Sequence, residues 1–357
     1  MAEAETSSQP IRPDAMPVVD ADRCVHGLSP IAQCIACVSA CPRSAFALED
    51  EGLTFDADVC DGCALCAAVC PEQAIDFGRA MAPWRAQHKE ADKAFLACEM
   101  NAVDGEAGCV ACLHALSLAD LARLHRDGIS AIVAASVDCT ECPRGVVAES
   151  IDDRVAALAR LTSDRGLPGL RLRRVSLDHW RAERDEAAHM NRRALLRAAL
   201  SPPVATKTRS NQAAEGPSTA ALLPISAPDS VLADADRATL AVVTPQIDAA
   251  TCHACGACVG ICPHGAITLC KGSAPRYEID ATRCTGCGLC VDSCEPSAIA
   301  LTRWGPAHPP AIALVHSRCR RCASPFYAVK DAAASEPGVC RICAGRVHQQ
   351  KLFQVLP

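Results

Sequence analysis

The sequence predicts an α+β multidomain chain, in which two cysteine-rich repeat modules flank a small α/β domain and a flexible linker, and a metal-binding ribbon follows. Three observations support this fold class. A half-module of about 30 residues occurs four times. Residues 201–245 are rich in Pro, Ser, Thr and Ala with little periodicity, and two cysteine pairs lie beyond the last repeat. The predicted domain boundaries are 1–80, 81–200, 201–245, 246–305 and 306–357.

The composition favours metal binding over disulfide bonding as the role of the cysteines. The chain has 26 cysteines in 357 residues, and its first residues show neither the basic nor the apolar region of a secretory signal. We therefore expect a cytoplasmic protein, in which a reducing environment favours metal sites over disulfides. A net charge of -6 argues against nucleic-acid binding. No apolar run approaches the ~20 residues of a membrane-spanning helix.

The most specific pattern is the spacing C-x2-C-x2-C-x3-C-P at residues 60–71. Three thiolates two residues apart can converge on one cubane of iron and sulfide, whereas the fourth ligates a different cluster. The proline cannot continue a helix, so it ends the turn that carries the fourth ligand. Structural cysteines have no reason to keep this spacing. The pattern therefore predicts binding of [4Fe-4S] clusters.

The same half-module is found four times, each beginning with an apolar-Asp-Ala phrase before its first cysteine. A short apolar strand is predicted after each fourth cysteine, at residues 45–48, 74–77, 266–269 and 298–301. With these motifs, residues 55–80 and 247–302 resemble the bacterial two-cluster ferredoxin, in which two halves pack about a pseudo-twofold axis. The resemblance implies two ferredoxin-like 2[4Fe-4S] modules and four clusters.

The resemblance also implies crossed ligands, because each fourth cysteine serves the cluster of the other half-module. The four implied ligand sets are Cys24, Cys34, Cys37 and Cys70; Cys60, Cys63, Cys66 and Cys41; Cys252, Cys255, Cys258 and Cys294; and Cys284, Cys287, Cys290 and Cys262. The first half-module departs from the family, since nine residues separate Cys24 from Cys34 where the family has two. This insertion can loop out, but it leaves nearby His26 as an alternative ligand.

The middle domain has a different cysteine spacing. A strand at 94–98 is predicted to end on Cys98, a helical stripe at 116–126 ends at Gly128, and a buried strand follows at 129–135. Helices are expected over 151–200. Because ligands bind at the carboxyl edge of an open α/β sheet, we expect its cysteines to gather there. The predicted ligands of this additional site, most simply an iron–sulfur cluster, are Cys98, Cys109, Cys139 and Cys142.

Within that set we choose Cys109, which follows Gly108 on a flexible turn, and leave Cys112 as the spare thiol. A structural zinc and a redox-active dithiol are the alternatives. The order of strand, cysteines, helix and strand looks like the delta-type iron–sulfur subunit that feeds heterodisulfide reductases from a hydrogenase. Residues 191–197 look like a twin-arginine export sequence, but no apolar core follows them, so we expect an exposed basic helix face.

The last domain has two C-x2-C pairs separated by 17 residues. This spacing predicts a zinc ribbon with a structural or docking role, and a rubredoxin-type iron site is the alternative. The four expected ligands are Cys319, Cys322, Cys340 and Cys343.

No nucleotide-binding or hydrolytic motif accompanies these cysteines. We therefore predict a multi-cluster electron-transfer protein, non-catalytic in itself, that relays single electrons to or from a larger redox enzyme of the molybdenum or hydrogenase type. One alternative is an iron–sulfur oxidoreductase subunit that reduces a disulfide or sulfur compound at the middle-domain thiols. Another is a factor that delivers metal or clusters to a client protein.

Overall fold

The computed structural model describes residues 16–49, 52–77, 92–101, 103, 105–135, 138–145, 149–200, 227–232, 237–330 and 338–345. These residues belong to two compact units, the first within 1–30 and 34–237 and the second within 31–33 and 238–357. Residues 1–15 and most of the predicted linker lie outside the described residues. Among the helices that the structure describes, none is long and apolar enough to cross a membrane.

The first cysteine-rich module consists of two short antiparallel strand pairs around a small core. Its elements are β1 Val18–Val19, α1 Val25–Leu28, α2 Ala36–Ala40, β2 Phe46–Glu49, β3 Gly52–Phe55, α3 Leu65–Val69 and β4 Ile75–Asp76. Strands β2 and β4 lie where the apolar stretches after the fourth cysteines predict them. Phe46, Leu65 and Ile75 are buried together, and buried cysteines complete the core.

The middle domain forms a four-stranded parallel sheet flanked by helices. Its elements are β5 Lys93–Cys98, β6 Cys109–Val110, α4 Leu118–Arg126, β7 Ala131–Ala135, α5 Ile151–Asp164, β8 Arg171–Val175 and α6 Leu177–Leu200. The strand order is β6-β5-β7-β8. Strands β5 and β7 are apolar because both faces of a parallel sheet are covered, and Leu96 and Val133 are completely buried.

The prediction of helices alone over 151–200 is wrong, because β8 lies between α5 and α6. Strand β8 is at the edge of the sheet and contains Arg171, Arg173 and Arg174, of which each is largely exposed. It therefore lacks the apolar run that marks the two central strands. Residues 191–197, predicted to form an exposed basic helix face, fall in the last part of α6. The structure describes the backbone of this part but not its side chains.

Helices α4 and α5 each begin at a capping box. The side chain of Ser117 accepts a hydrogen bond from the backbone N–H of Asp120, while the Asp120 carboxylate accepts one from the backbone N–H of Ser117. Ser150 and Asp153 repeat this arrangement at α5. Such a box satisfies two N–H groups that a helix start leaves unpaired. Gly128, with φ +92°, follows α4 as the sequence predicts.

Part of the predicted linker packs against the first unit. Residues 227–232 include the short helix α7, Pro228–Val231. Asp229 Oδ1 accepts a hydrogen bond of 3.0 Å from Arg165 Nη2, and both side chains are completely buried. Removing one partner of such a pair costs about 3–5 kcal/mol, because the other charge is left buried alone. This segment is therefore fixed to the middle domain rather than part of a flexible tether.

The second unit contains the second cysteine-rich module and the last cysteine pairs. Its elements are β9 Leu240–Ile247, α8 Ala257–Ile261, β10 Ile267–Cys270, β11 Arg276–Ile279, α9 Leu289–Asp292, β12 Ile299–Pro306, β13 Ile312–Arg318, β14 Pro325–Val329 and α10 Arg341–Ala344. Strands β9 and β12 form one antiparallel pair, and a second sheet has the order β10-β11-β13-β14. Strand β13 pairs with β11, so the hairpin after the module extends its sheet. Strand β9 begins before the boundary predicted at 246.

Candidate iron–sulfur and metal sites

The first module gathers one of the crossed cysteine sets around a cavity of about 380 Å³. This set, here called site 1, consists of Cys24, Cys34, Cys37 and Cys70. Burial, followed by the neighbouring thiols of Cys34 and Cys70, raises the pKa of Cys37 to about 12. Four thiolates in one cavity repel each other, and a bound iron cluster removes this cost by neutralising them. The donor set therefore fits an iron–sulfur cluster.

His26 lines the same cavity, but its ring faces the protein backbone. Its Nε2 atom lies 2.7 Å from the carbonyl oxygen of Cys34. A nitrogen that hydrogen-bonds to a carbonyl oxygen must carry the proton, which leaves the lone pair of the ring on Nδ1. This bond therefore does not exclude the histidine as a ligand, and the cysteine is favoured because Cys24 lies in the same cavity as Cys34, Cys37 and Cys70.

The second crossed set of the first module, site 2, consists of Cys41, Cys60, Cys63 and Cys66. Burial raises the pKa of Cys63 to about 12. Burial and then the neighbouring thiols of Cys63 and Cys41 raise the pKa of Cys66. The half-module insertion between Cys24 and Cys34 does not prevent either set from assembling.

The second module repeats this arrangement. Site 3 surrounds a cavity of about 310 Å³ and consists of Cys252, Cys255, Cys258 and Cys294. Site 4 consists of Cys262, Cys284, Cys287 and Cys290. Burial, with the neighbouring thiols of Cys284, Cys287 and Cys262, raises the pKa of Cys290 to about 12. The structure therefore brings together all four crossed sets that the ferredoxin resemblance implies.

A turn that the sequence analysis missed follows each fourth cysteine. The backbone N–H four residues later donates a hydrogen bond of 3.2 to 3.3 Å to Sγ, in the pairs Ala45–Cys41, Ala74–Cys70, Ala266–Cys262 and Ala298–Cys294. The residue before each alanine has a positive φ. Hydrogen bonds to ligand sulfur help to set the reduction potential of a cluster. The spacing C-x3-A, which is visible in all four half-modules, was the available signal.

Two family models match parts of the chain. A 4Fe-4S dicluster domain matches residues 251–299, which contain sites 3 and 4. A 4Fe-4S binding domain matches residues 53–75, which contain Cys60, Cys63, Cys66 and Cys70. The chain contains 4Fe-4S ferredoxin-type domains. Such 4Fe-4S domains indicate an iron–sulfur protein that transfers electrons.

The two matches leave a large part of the chain without a counterpart. The half-module around site 1, the middle domain and the cysteine pairs after residue 306 lie outside both 4Fe-4S domains. A comparison with curated proteins found no match to the chain. For these parts, the arrangement of the residues themselves is the basis for any functional conclusion.

Beyond the second 4Fe-4S domain, four cysteines form a closed group, here called the tail site. The sulfur atoms of Cys319, Cys322, Cys340 and Cys343 all lie within 4.8 Å of one another. Those of Cys322 and Cys340 are 3.8 Å apart. A tetrahedral zinc with Zn–S bonds of about 2.3 Å requires sulfur–sulfur distances of about 3.8 Å. The group is therefore compatible with a tetrahedral metal site.

A further cysteine group lines a cavity of about 410 Å³ between the middle sheet and the 4Fe-4S domain of the first unit. This middle cavity contains the thiols of Cys98, Cys112, Cys139 and Cys142. Cys98 ends β5, and Cys139 and Cys142 follow β7, so the carboxyl edge of the sheet brings them together as predicted. The Cys98 thiol donates a hydrogen bond of 3.5 Å to the carbonyl oxygen of Ala111, while the neighbouring Cys112 thiol lowers the pKa of Cys98 and Cys98 raises the pKa of Cys112.

The choice of Cys109 over Cys112 does not agree with this placement. Cys109 lies on β6 and packs in the other core, beside Trp180 and Val175. Side chains alternate between the faces of a strand, so Cys109 and the middle cavity lie on different sides of the sheet. The role of Gly108 is to let its backbone approach strand β5 closely, because a Cβ atom there would lie 2.3 Å from the carbonyl oxygen of Phe95. It is therefore not a residue of a flexible turn.

Arg144 is a residue of the middle cavity that the sequence analysis did not identify. It is 5% exposed and donates hydrogen bonds to the Asp61 carboxylate at 2.9 Å and the Ala111 carbonyl oxygen at 2.6 Å. It also donates to the carboxylate of Glu99. Burial alone would lower the pKa of Arg144, but the hydrogen bond and charge of Asp61 raise it. Asp61 was the sequence feature that could have indicated such a partner. It lies between the first two cysteines of its half-module, where the other half-modules have no Asp, Glu, Lys or Arg.

Proposed function

We propose that this protein is a multi-cluster electron carrier, in which sites 1 to 4 hold four [4Fe-4S] clusters and pass single electrons to or from a larger redox enzyme. The observation that carries the proposal is the grouping of four crossed cysteine sets, each with at least one buried thiol. A bound cluster supplies the one-electron chemistry. The chain's own residues would hold the irons, donate backbone N–H bonds to the ligand sulfurs, and exclude water with apolar side chains.

Further parts of the proposal concern the middle cavity and the tail site. Cys98, Cys112, Cys139 and Cys142 would hold one additional iron–sulfur centre, with Cys112 in the place first predicted for Cys109. The support is their common cavity at the sheet edge. The tail site would hold a structural zinc, which the sulfur–sulfur distances support. A reducing, cytoplasmic location suits a chain with 26 cysteines, and we expect a partner of the molybdenum or hydrogenase type.

The test is metal analysis of anaerobically purified and reconstituted protein. Four cubanes require about 16 irons per chain with equal sulfide, and the middle cavity would add to this number. Electron paramagnetic resonance should detect reduced clusters, and one zinc should be found per chain. An iron content of about eight or fewer would contradict one or both ferredoxin modules.

One observation supports a second candidate function. The thiols of Cys98 and Cys112 line the same cavity and each shifts the pKa of the other, so the pair is a candidate dithiol that reduces a disulfide or sulfur compound. Thiol alkylation of the native, metal-loaded protein distinguishes the two. A metal centre predicts protection of Cys98, Cys112, Cys139 and Cys142. Rapid labelling of all four would favour the reducing enzyme over an additional cluster.

A further inference from the structure

The middle cavity and site 2 share a wall. Leu65, which lies between Cys63 and Cys66 in sequence, lines the middle cavity and is only 4% exposed. Cys112 belongs to the same buried apolar cluster as Cys63 and Cys66. Packed apolar side chains therefore separate the two cysteine groups, and both groups lie within the first unit.

Arg144 ties together the loops that carry these two groups. Through Asp61 it contacts the loop between Cys60 and Cys63. Through the carbonyl oxygen of Ala111 and the carboxylate of Glu99, it contacts the residues next to Cys112 and Cys98. Arg144 itself comes two residues after Cys142. One guanidinium thus fixes four ligand-bearing positions from two domains.

The charge of this guanidinium is also placed between two acidic side chains. Arg144 lies beside the Asp61 and Glu99 carboxylates, with side chains 22% and 30% exposed. Replacing Arg144 with a neutral residue would leave two carboxylates next to the cysteine groups. A cluster gains negative charge when it is reduced, so uncompensated carboxylates disfavour its reduction.

We propose that the middle cavity exchanges electrons directly with site 2, and that Arg144 is the positioning residue that holds the two together and favours the reduced state of site 2. This inference rests on the proposed function, because it requires iron–sulfur centres in both places. In each transfer one electron leaves one centre, which is oxidised by one unit, and enters the other, which is reduced by one unit. No bond to a substrate forms or breaks, and the first electron comes from an external one-electron donor.

The test is a redox titration of the full-length, reconstituted protein, followed by electron paramagnetic resonance. Arg144→Gln should disfavour reduction of one ferredoxin-cluster signal at least tenfold, which for a one-electron couple is a shift of about 59 mV. Arg144→Lys keeps the charge but loses the forked hydrogen bonds, so its shift should be smaller. The matched control is Arg43→Gln, since Arg43 also lies near Asp61, at 3.7 Å, but its side chain is 46% exposed.

Two further variants make the result decisive. Glu99→Gln removes one negative charge and should shift the same signal in the opposite direction, even if Arg144→Gln fails to fold. The double variant Cys139→Ser/Cys142→Ser, which disables the middle cavity, should change the relaxation of that signal and leave sites 3 and 4 unaltered. An Arg144→Gln protein with full iron and unchanged potentials would overturn this proposal alone. Wild-type protein without iron at site 2 would overturn the proposed function as well.

Discussion

Individual backbone conformations support the cysteine spacing. In three half-modules, the residue after the second cysteine starts a helix with a positive φ. Two of these residues are Gly256 and Gly288, with φ +77° and +85°, whereas Ala64 holds the same position with φ +61°. The left-handed conformation costs an L-residue about 1–2 kcal/mol. Glycine at this point therefore lets the chain turn between ligands at lower cost.

We predict that Gly288→Ala lowers the free energy of unfolding by about 1 kcal/mol, because alanine pays the left-handed cost that glycine avoids. The measurement is denaturant unfolding of the metal-loaded protein. Gly260→Ala is the control, since Gly260 lies inside α8 and has open space around its Cα. It should be stabilising by about 0.5–1 kcal/mol. Equal losses in the two variants would show that backbone conformation is not the cause.

Among the elements, the helices of the middle domain are set by local signals. Helix α5 begins at Ser150, and Asp153 closes its capping box. Ile151, Leu158 and Leu161 lie on the buried face of the same helix. The helix therefore combines a defined start with an apolar stripe, and it leads the chain from the cysteines after β7 to the edge strand β8.

Replacing the cap should weaken this helix. Ser150→Ala should destabilise the protein by about 1 kcal/mol, because the backbone N–H of Asp153 loses its acceptor, the Ser150 hydroxyl. The control is Ser163→Ala in the last turn of α5, where an exposed serine makes no cap and alanine is the better helix former. Thermal unfolding of both variants gives the comparison. A loss of the same size at Ser163 would exclude the capping box as the source.

At the largest scale, the proposed crossed ligands would make each pair of half-modules interdependent. Cys41 belongs to the first half-module but to site 2, whereas Cys70 belongs to the second half-module but to site 1. Neither half-module can therefore complete a four-cysteine set alone. The same exchange relates sites 3 and 4.

We predict that Cys41→Ala alters the resonance signal and iron retention of site 2 and leaves site 1 intact. Cys70→Ala is the matched variant, and it should affect site 1 instead. The measurement is electron paramagnetic resonance with iron analysis on each protein. If Cys41→Ala removed the cluster held by Cys34 and Cys37, the crossed assignment would be wrong.

The tail site should depend on its metal while the clusters do not. Among the described residues, its apolar cluster consists of Val339, Phe326 and three of the cysteines, so little apolar burial remains there without metal. A zinc chelator added to the full-length protein should release one zinc, expose residues 319–345 to proteolysis and leave the iron signals unchanged. Cys322→Ser should bind zinc poorly, whereas Cys270→Ser, outside the four cysteines, should retain it. Tail resistance to proteolysis without zinc would contradict this.

The iron–sulfur motifs, the four half-modules and the strand after each fourth cysteine were predictable from the sequence. These features are local, because ligand spacing, a helix-ending proline and an apolar strand are all contained in about 30 residues. For the same reason, the strand ending on Cys98 and the buried strand at 129–135 were predictable. The two matched 4Fe-4S domains confirm the ferredoxin-type interpretation at residues 53–75 and 251–299.

Which middle-domain cysteines share a cavity, and which residues lie beside them, depends on the three-dimensional packing of the chain. The exclusion of Cys109 depends on the face of β6 that packs against Trp180, and the inclusion of Cys112 depends on the turn after that strand. The contact of Arg144 with Asp61 joins residues 83 positions apart. Such choices follow from packing between distant segments, for which a single sequence carries no spacing rule.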